Sequence, residues 1–235
     1  YNSPVNYLNM KLGKLTHPYK YDEHDLIKII KDIDVNKIRD NINKLLKLNY
    51  NKTYIIYGNL NFNKIIKFLD IKKNKKLQLI KSKNLYPITL KHPNKKEKNN
   101  LIRLLCNFEN FNPEIILILN IISNMIEQYV YNFLRTQHQL GYLVHSGIYF
   151  DNNIYYFFIR VVSPKNIKLV QSKILECLKN FKKKLENFTD IEINKWKEIT
   201  KDLLLEKEKS NNLLLQKYYY EIISRNYLFN RNEKI

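Results

Sequence analysis

Alanine is missing from this 235-residue chain, and glycine is nearly so, with four in all. Gly13, Gly58, Gly141 and Gly147 stand too far apart to form a phosphate-cradling loop, which excludes the glycine-rich nucleotide-binding motifs. Cysteine is as scarce. Cys106 and Cys177 sit inside apolar patterns at no metal-ligand spacing, so both are expected to be buried free thiols, in keeping with a reducing compartment and a cytoplasmic location. The five histidines (His17, His24, His92, His138, His145) form neither H-E-x-x-H nor H-x-x-E-H, so the helical zinc-ligand pair is lacking. Glu23 and His24 adjoin without a second histidine and read as surface residues at a helix start. Ser123, Ser146 and Ser163 lie in no nucleophile elbow, so a serine triad is unsupported.

Negative charge is also in short supply. The chain has 41 basic and 22 acidic residues, a formal net charge of +19, which invites a nucleic-acid or anionic-membrane reading. The kind of cation argues against it. Only 6 of the basic residues are arginine, the residue whose bidentate fork reads bases, and the lysines are spread along the chain beside 33 asparagines. No zinc-finger or RNA-recognition motif accompanies them. The densest run, Lys91 to Lys98, contains Pro93 and Asn94 and reads as a solvated loop. No nucleic-acid or membrane partner is expected. The apolar run Ile115 to Ile126 is too short to span a bilayer, is interrupted by Asn120, Ser123 and Asn124, and ends at Glu127, so it reads as a buried helix.

What is present describes an α+β protein. A helix is expected over Asp22 to Lys31, with Leu26, Ile27, Ile29 and Ile30 on its apolar side, and a second after Asp34 through Val35, Ile38, Ile42, Leu45 and Leu46. Tyr54 to Tyr57 reads as a strand stopped by Gly58-Asn59, and Ile65, Ile66, Phe68 and Leu69 as the buried face of another helix. A Lys-rich, weakly patterned stretch ending before Pro87 marks a boundary: one unit over residues 1–75, a linker over 76–87, and a second unit over 88–235. In the second unit, strands are expected at Ile88 to Lys91 and Leu101 to Phe108, followed by a helix that Asn112 caps and that runs from Pro113 toward Leu134. Tyr142 to Tyr149 and Ile154 to Val162 read as a hairpin around Asp151-Asn152-Asn153. Ser163-Pro164 reads as the next helix start, with Ile167, Val170, Ile174, Leu175 and Leu178 as its stripe. Thr189 and Glu192 have capping-box spacing before a helix through Leu204, and a last helix covers Leu213 to Ser224. An antiparallel sheet with helices packed on one face follows.

The most informative segment is 133–147, Phe-Leu-Arg-Thr-Gln-His-Gln-Leu-Gly-Tyr-Leu-Val-His-Ser-Gly, where the long helix gives way to a strand. Arg135 could grip a peptide carbonyl and Tyr142 could donate to an oxyanion. Equally, Arg135 could serve the helix dipole and Tyr142 could be a half-buried strand aromatic.

Leu134-Arg-Thr-Gln-His-Gln-Leu-Gly-Tyr-Leu-Val-His-Ser-Gly147 resembles the L-R-T-x-x-Q-L-G-Y-x-V-x-S-G element in the C-terminal half of insulinase-type zinc peptidases, the pitrilysin and insulysin group of inverzincins. Tyr57-Gly58-Asn59 is similar to a strand end in the third homologous unit of that group. Lys217-Tyr218-Tyr219-Tyr220-Glu221-Ile222-Ile223 with Tyr227-Leu228-Phe229-Asn230-Arg231 is similar to its K-Y-W-x-E-I-I and Y-x-F-x-R, Tyr219 standing for the tryptophan. The resemblance implies the end of a third unit and most of a fourth in a clamshell metalloendopeptidase. There the N-terminal half of the same protein carries the zinc and closes with this half over peptide substrates. By motif position Arg135 and Tyr142 match the residues that bind substrate and stabilise the transition state, while His138 has no counterpart. This stretch alone is expected to be an internal piece that binds no zinc and has no activity. The alternative is the peptide- or partner-binding half of a family member that has lost its metal motif.

Overall fold

The computed structural model describes residues 3–16, 21, 23–47, 54–67, 69, 88–108, 113–151, 154–223 and 229–230. The expected linker over 76–87, the hairpin tip at Asn152-Asn153, the Asn112 cap, and Asp22, Phe68, Tyr227, Leu228 and Arg231 lie outside them.

The centre is a three-stranded antiparallel sheet. β1 (Asn100–Phe108), β2 (Leu143–Asp151) and β3 (Ile154–Ser163) lie in the order β1-β3-β2, so the most apolar strand takes the middle. Residues 154, 156–159 and 161–163 of β3 are buried, as expected of a strand covered on both sides. The register pairs Leu104 and Ser146 with Ile159, and Ile102 and Val144 with Val161. Side chains alternate across the sheet, so Ile102, Leu104, Val144, Ile148, Phe157, Ile159 and Val161 share one face and join the main core.

Helices cover that face. α5 (Pro113–Val130) sends Ile116, Leu119, Ser123, Met125, Ile126 and Val130 inward, and α6 (Ile167–Leu185) adds Val170, Ile174, Cys177 and Phe181 at four-, three- and four-residue steps. The polar residues that interrupt α5 are used: Asn120 donates to the Ile116 carbonyl at 2.8 Å, and Asn124 donates at 3.0 Å to the buried hydroxyl of Thr200. Thr200 belongs to α7 (Asp190–Leu205), which the Thr189–Glu192 capping box starts as expected. α8 (Asn211–Ile223) completes this part. Among the described residues no helix is long and apolar enough to cross a membrane.

Several expectations are corrected. α6 begins at Ile167 under an Asn166 cap rather than at Ser163-Pro164, because Ser163 is still the last residue of β3. Neither 54–57 nor 88–91 forms a strand; each lacks a ladder partner among the described residues. A helix that the patterning did not suggest, α1 (Pro4–Thr16), packs along β1. α2 (Glu23–Ile30) and α3 (Val35–Lys47) form as expected, and Asp34 accepts from the Lys37 amide at 2.7 Å. Their apolar stripes are nevertheless exposed, as is Ile66 of the short α4 (Phe62–Ile66), where a buried face was expected. Cys106 is exposed rather than buried, whereas Cys177 is fully buried and its thiol is pushed up to about 12 by that burial.

Candidate functional site

The junction between α5 and β2 is not a plain helix end. α5 continues into a π-helical segment, Tyr131–Gln137, in which the His138 amide reaches back five residues to the Phe133 carbonyl at 3.1 Å. The Leu140 amide reaches six residues back, to the Leu134 carbonyl at 3.0 Å. Widening the turn by one residue changes which side chains face inward. Phe133 and Leu134 are buried and anchor the segment, Arg135 is left half-buried, and Gln137 is exposed. π-helical turns are costly and concentrate at functional positions.

The chain must then reverse within four residues. Gln139 takes a left-handed φ of 46°, rare for a residue with a side chain, and Leu140 closes the core at 2% exposure. At Gly141 the backbone lies against the end of β3. A β-carbon there would stand 1.9 Å from the Val162 carbonyl oxygen and 2.8 Å from its carbon, an overlap that only glycine avoids. Two further bonds fasten the reversal: the Ser163 hydroxyl donates to the Leu140 carbonyl, and the Lys165 ammonium donates to the His138 carbonyl at 3.1 Å. In the sequence Ser163 reads as part of a helix start with Pro164, and nothing in the local pattern marks Ser163 or Lys165 for this fastening.

Held this way, Tyr142 leaves the reversal with 60% of its surface exposed, directly ahead of β2. It is therefore not the half-buried strand aromatic that was one reading of it. The side chains of Arg135 and Tyr142 have no hydrogen-bond or ion-pair partner among the described residues, and they do not bond each other. His138 has a plain structural place, its ring edge-on to Phe133 at 4.5 Å.

Cavities flank the sheet. One of about 830 Å³ runs along the outer edge of β1 between α1, residues 88–97 and α6; another of about 580 Å³ lies between α5, β2 and α7, where the buried Ser146 hydroxyl has no partner among the described residues. Neither is lined by Arg135 or Tyr142, so the exposed junction and the cavities are separate features. Among the described residues no three of His, Cys, Asp and Glu come together in a way that could hold a metal.

Comparison with known proteins agrees with this anatomy. Residues 121–219, which contain the whole junction, match the family described as PQQ synthase PqqF-like, C-terminal lobe domain 4. The chain is 25% identical over 241 aligned positions to the putative zinc protease mug138 of Schizosaccharomyces pombe, covering 96% of this chain and 25% of that protein. It is 31% identical to the insulin-degrading enzyme of Drosophila melanogaster over 117 positions, covering 50% of this chain and 12% of that one. The crystal structure of pitrilysin superposes with a TM-score of 0.52 at 14% identity over 60% of this chain and 15% of that chain, a likeness of fold. The chain thus spans a quarter or less of the length of these relatives. On the matching region, the relatives and the shared fold together, the chain is similar to the C-terminal region of insulinase-type zinc peptidases.

Proposed function

We propose that this chain is the substrate-binding part of a zinc metalloendopeptidase, with the metal held by a portion of the longer protein outside it. In this reading residues 1–75 end a third homologous unit and 88–235 form most of a fourth. The two halves of the protein close around a peptide, in a cytoplasmic setting that suits two unpaired cysteines. Arg135 grips the peptide backbone, because a guanidinium offers five donors and this one spends none on a partner among the described residues. Tyr142 donates its hydroxyl to the oxyanion of the tetrahedral intermediate. Alone, the chain binds and does not cut.

The observation that carries the reading is the reversal at 138–141, a costly backbone fastened by Gly141, Ser163 and Lys165, whose product is one exposed, unbonded tyrosine. A stretch serving only the core has no need of that. The test is made on the full-length protein with Arg135→Ala and Tyr142→Phe. Losing an oxyanion donor costs on the order of 100-fold or more in kcat, so Tyr142→Phe should lower kcat chiefly. Arg135→Ala should lower kcat/KM through the ground state as well. Unchanged kcat/KM in both variants rejects the roles, and a wild-type protein that binds peptides without hydrolysing them favours the inactive family member instead.

A further inference from the structure

The second face of the sheet carries a cluster that the junction does not use. Because Ile102, Leu104, Val144, Ile159 and Val161 point into the helical core, alternation sends Arg103, His145 and Arg160 to the opposite face. The register sets Arg103 beside Arg160 and Arg160 beside His145, one row of three basic side chains across three strands. The row rests on aromatic rings. Both guanidinium carbons lie over Phe158, at 5.0 and 6.0 Å, and that of Arg103 also lies 5.2 Å from the Tyr149 ring.

Directly opposed like charges destabilise a sheet, so natural pairs usually gain a carboxylate between them. Here none ion-pairs with either arginine among the described residues. Arg103 Nη1 donates to Asn9 Oδ1 at 3.0 Å, and Arg160 Nη2 donates to His145 Nδ1 at 3.3 Å. The Nε of each arginine is buried without a partner among the described residues, while Arg103 Nη2 and Arg160 Nη1 are neither buried nor hydrogen-bonded among them, so each fork keeps a reachable unused donor. Burial, with Arg160 adding to it, lowers the basicity of Arg103.

We propose that the Arg103–Arg160–His145 row is a specificity subsite for the carboxylate of a Glu or Asp side chain in an extended peptide lying along the sheet. A carboxylate placed between the two forks would take up their unused donors and relieve the like-charge pair. The inference rests on the reading of Tyr142 given above. Tyr142 precedes His145 by three residues, about 10 Å at 3.4 Å per residue, so a peptide running along β2 would present a residue roughly three positions from the scissile bond.

The experiment uses the full-length protein and two fluorogenic peptides that differ only in Glu or Gln three positions from the cleaved bond. Wild type should favour the Glu peptide by roughly tenfold in kcat/KM, the size of one charge-assisted hydrogen bond, and added salt should reduce that ratio. Arg103→Gln with Arg160→Gln should bring the ratio close to unity, and Arg103→Lys with Arg160→Lys should restore part of it. If the arginines merely cover Phe158, both peptides suffer alike and the ratio persists, which overturns the proposal. A preference that follows amidation of the peptide C-terminus, rather than the Glu-to-Gln change, overturns it too. Fluorescence anisotropy of the same labelled peptides reads the Glu/Gln ratio without turnover. No hydrolysis of either peptide therefore counts against the peptidase reading, while equal affinity for both counts against the subsite.

Discussion

Gly141 and Val162 approach so closely that the space for a β-carbon on the first is taken by the carbonyl oxygen of the second, at 1.9 Å. The contact joins the start of one edge strand to the end of the central strand, and the position of Tyr142 depends on it. Gly141→Ala should therefore displace backbone and destabilise the protein by about 2–3 kcal/mol, the upper part of the range for overpacking. Gly147 is the control, since a β-carbon there would meet Phe158 at an ordinary 3.6 Å. Gly147→Ala should be close to neutral, and denaturant unfolding of the two variants separates the outcomes.

Ser163 fastens the same reversal from the other side. At 1% exposure its hydroxyl donates to the Leu140 carbonyl and accepts from the Lys165 amide at 3.0 Å. Ser163→Ala leaves a buried carbonyl short of a donor, a change that costs roughly 1–3 kcal/mol. Urea midpoints should show it, and Ser163→Thr should recover part of the loss.

The two cysteines should react very differently. Cys106 is exposed, while Cys177 is fully buried and its thiol, pushed up to about 12 by burial, carries almost no thiolate at neutral pH. A maleimide added to the native protein should label Cys106 and leave Cys177 untouched until denaturant is added. Labelling of both at equal rates would contradict the packing of α6 against the sheet.

Acid should loosen the start of α7 through a single carboxylate. The Thr189 amide, and after it the Thr189 hydroxyl, hold the Glu192 carboxyl below its ordinary range. A group with a depressed folded pKa stabilises the protein above its unfolded value and loses that contribution as pH falls through the folded one. The difference in unfolding midpoint between wild type and Glu192→Gln should therefore be constant above about pH 5 and change below about pH 4.5, where a free glutamate titrates. A difference independent of pH down to about 3 would mean that the capping box does not form.

Much of this anatomy was legible in the chain because local chemistry and burial agree. The Thr189–Glu192 box and the β-branched hairpin each specify an element by themselves, and of the stripe expected for α6 Val170 and Ile174 are buried, whereas Ile167 and Leu175 are exposed and Cys177 and Phe181 complete the buried face. The π-helical segment was not legible. Its apolar residues continue the pattern of α5, and the added residue shows only in which carbonyl His138 and Leu140 bond. Tyr54 to Tyr57 and Ile88 to Lys91 have strand composition, but a strand exists only with a neighbour to pair, which composition cannot supply. The Arg103–Arg160 adjacency depends on register between segments more than fifty residues apart. The exposure of Tyr142 likewise depends on Gly141 meeting Val162, a contact that no local spacing encodes.

The bare apolar stripes of α2 and α3 bear on how this chain behaves in a tube. Leu26, Ile30, Ile38, Ile42 and Leu46 offer a sticky surface, opposed by the mutual repulsion of nineteen excess positive charges. That repulsion is long-range and is screened within about 10 Å at 0.1 M salt, while the apolar attraction is not. Produced without the rest of its protein, the chain should stay dispersed in dilute buffer and cluster as sodium chloride is added, the reverse of a protein held together by ion pairs.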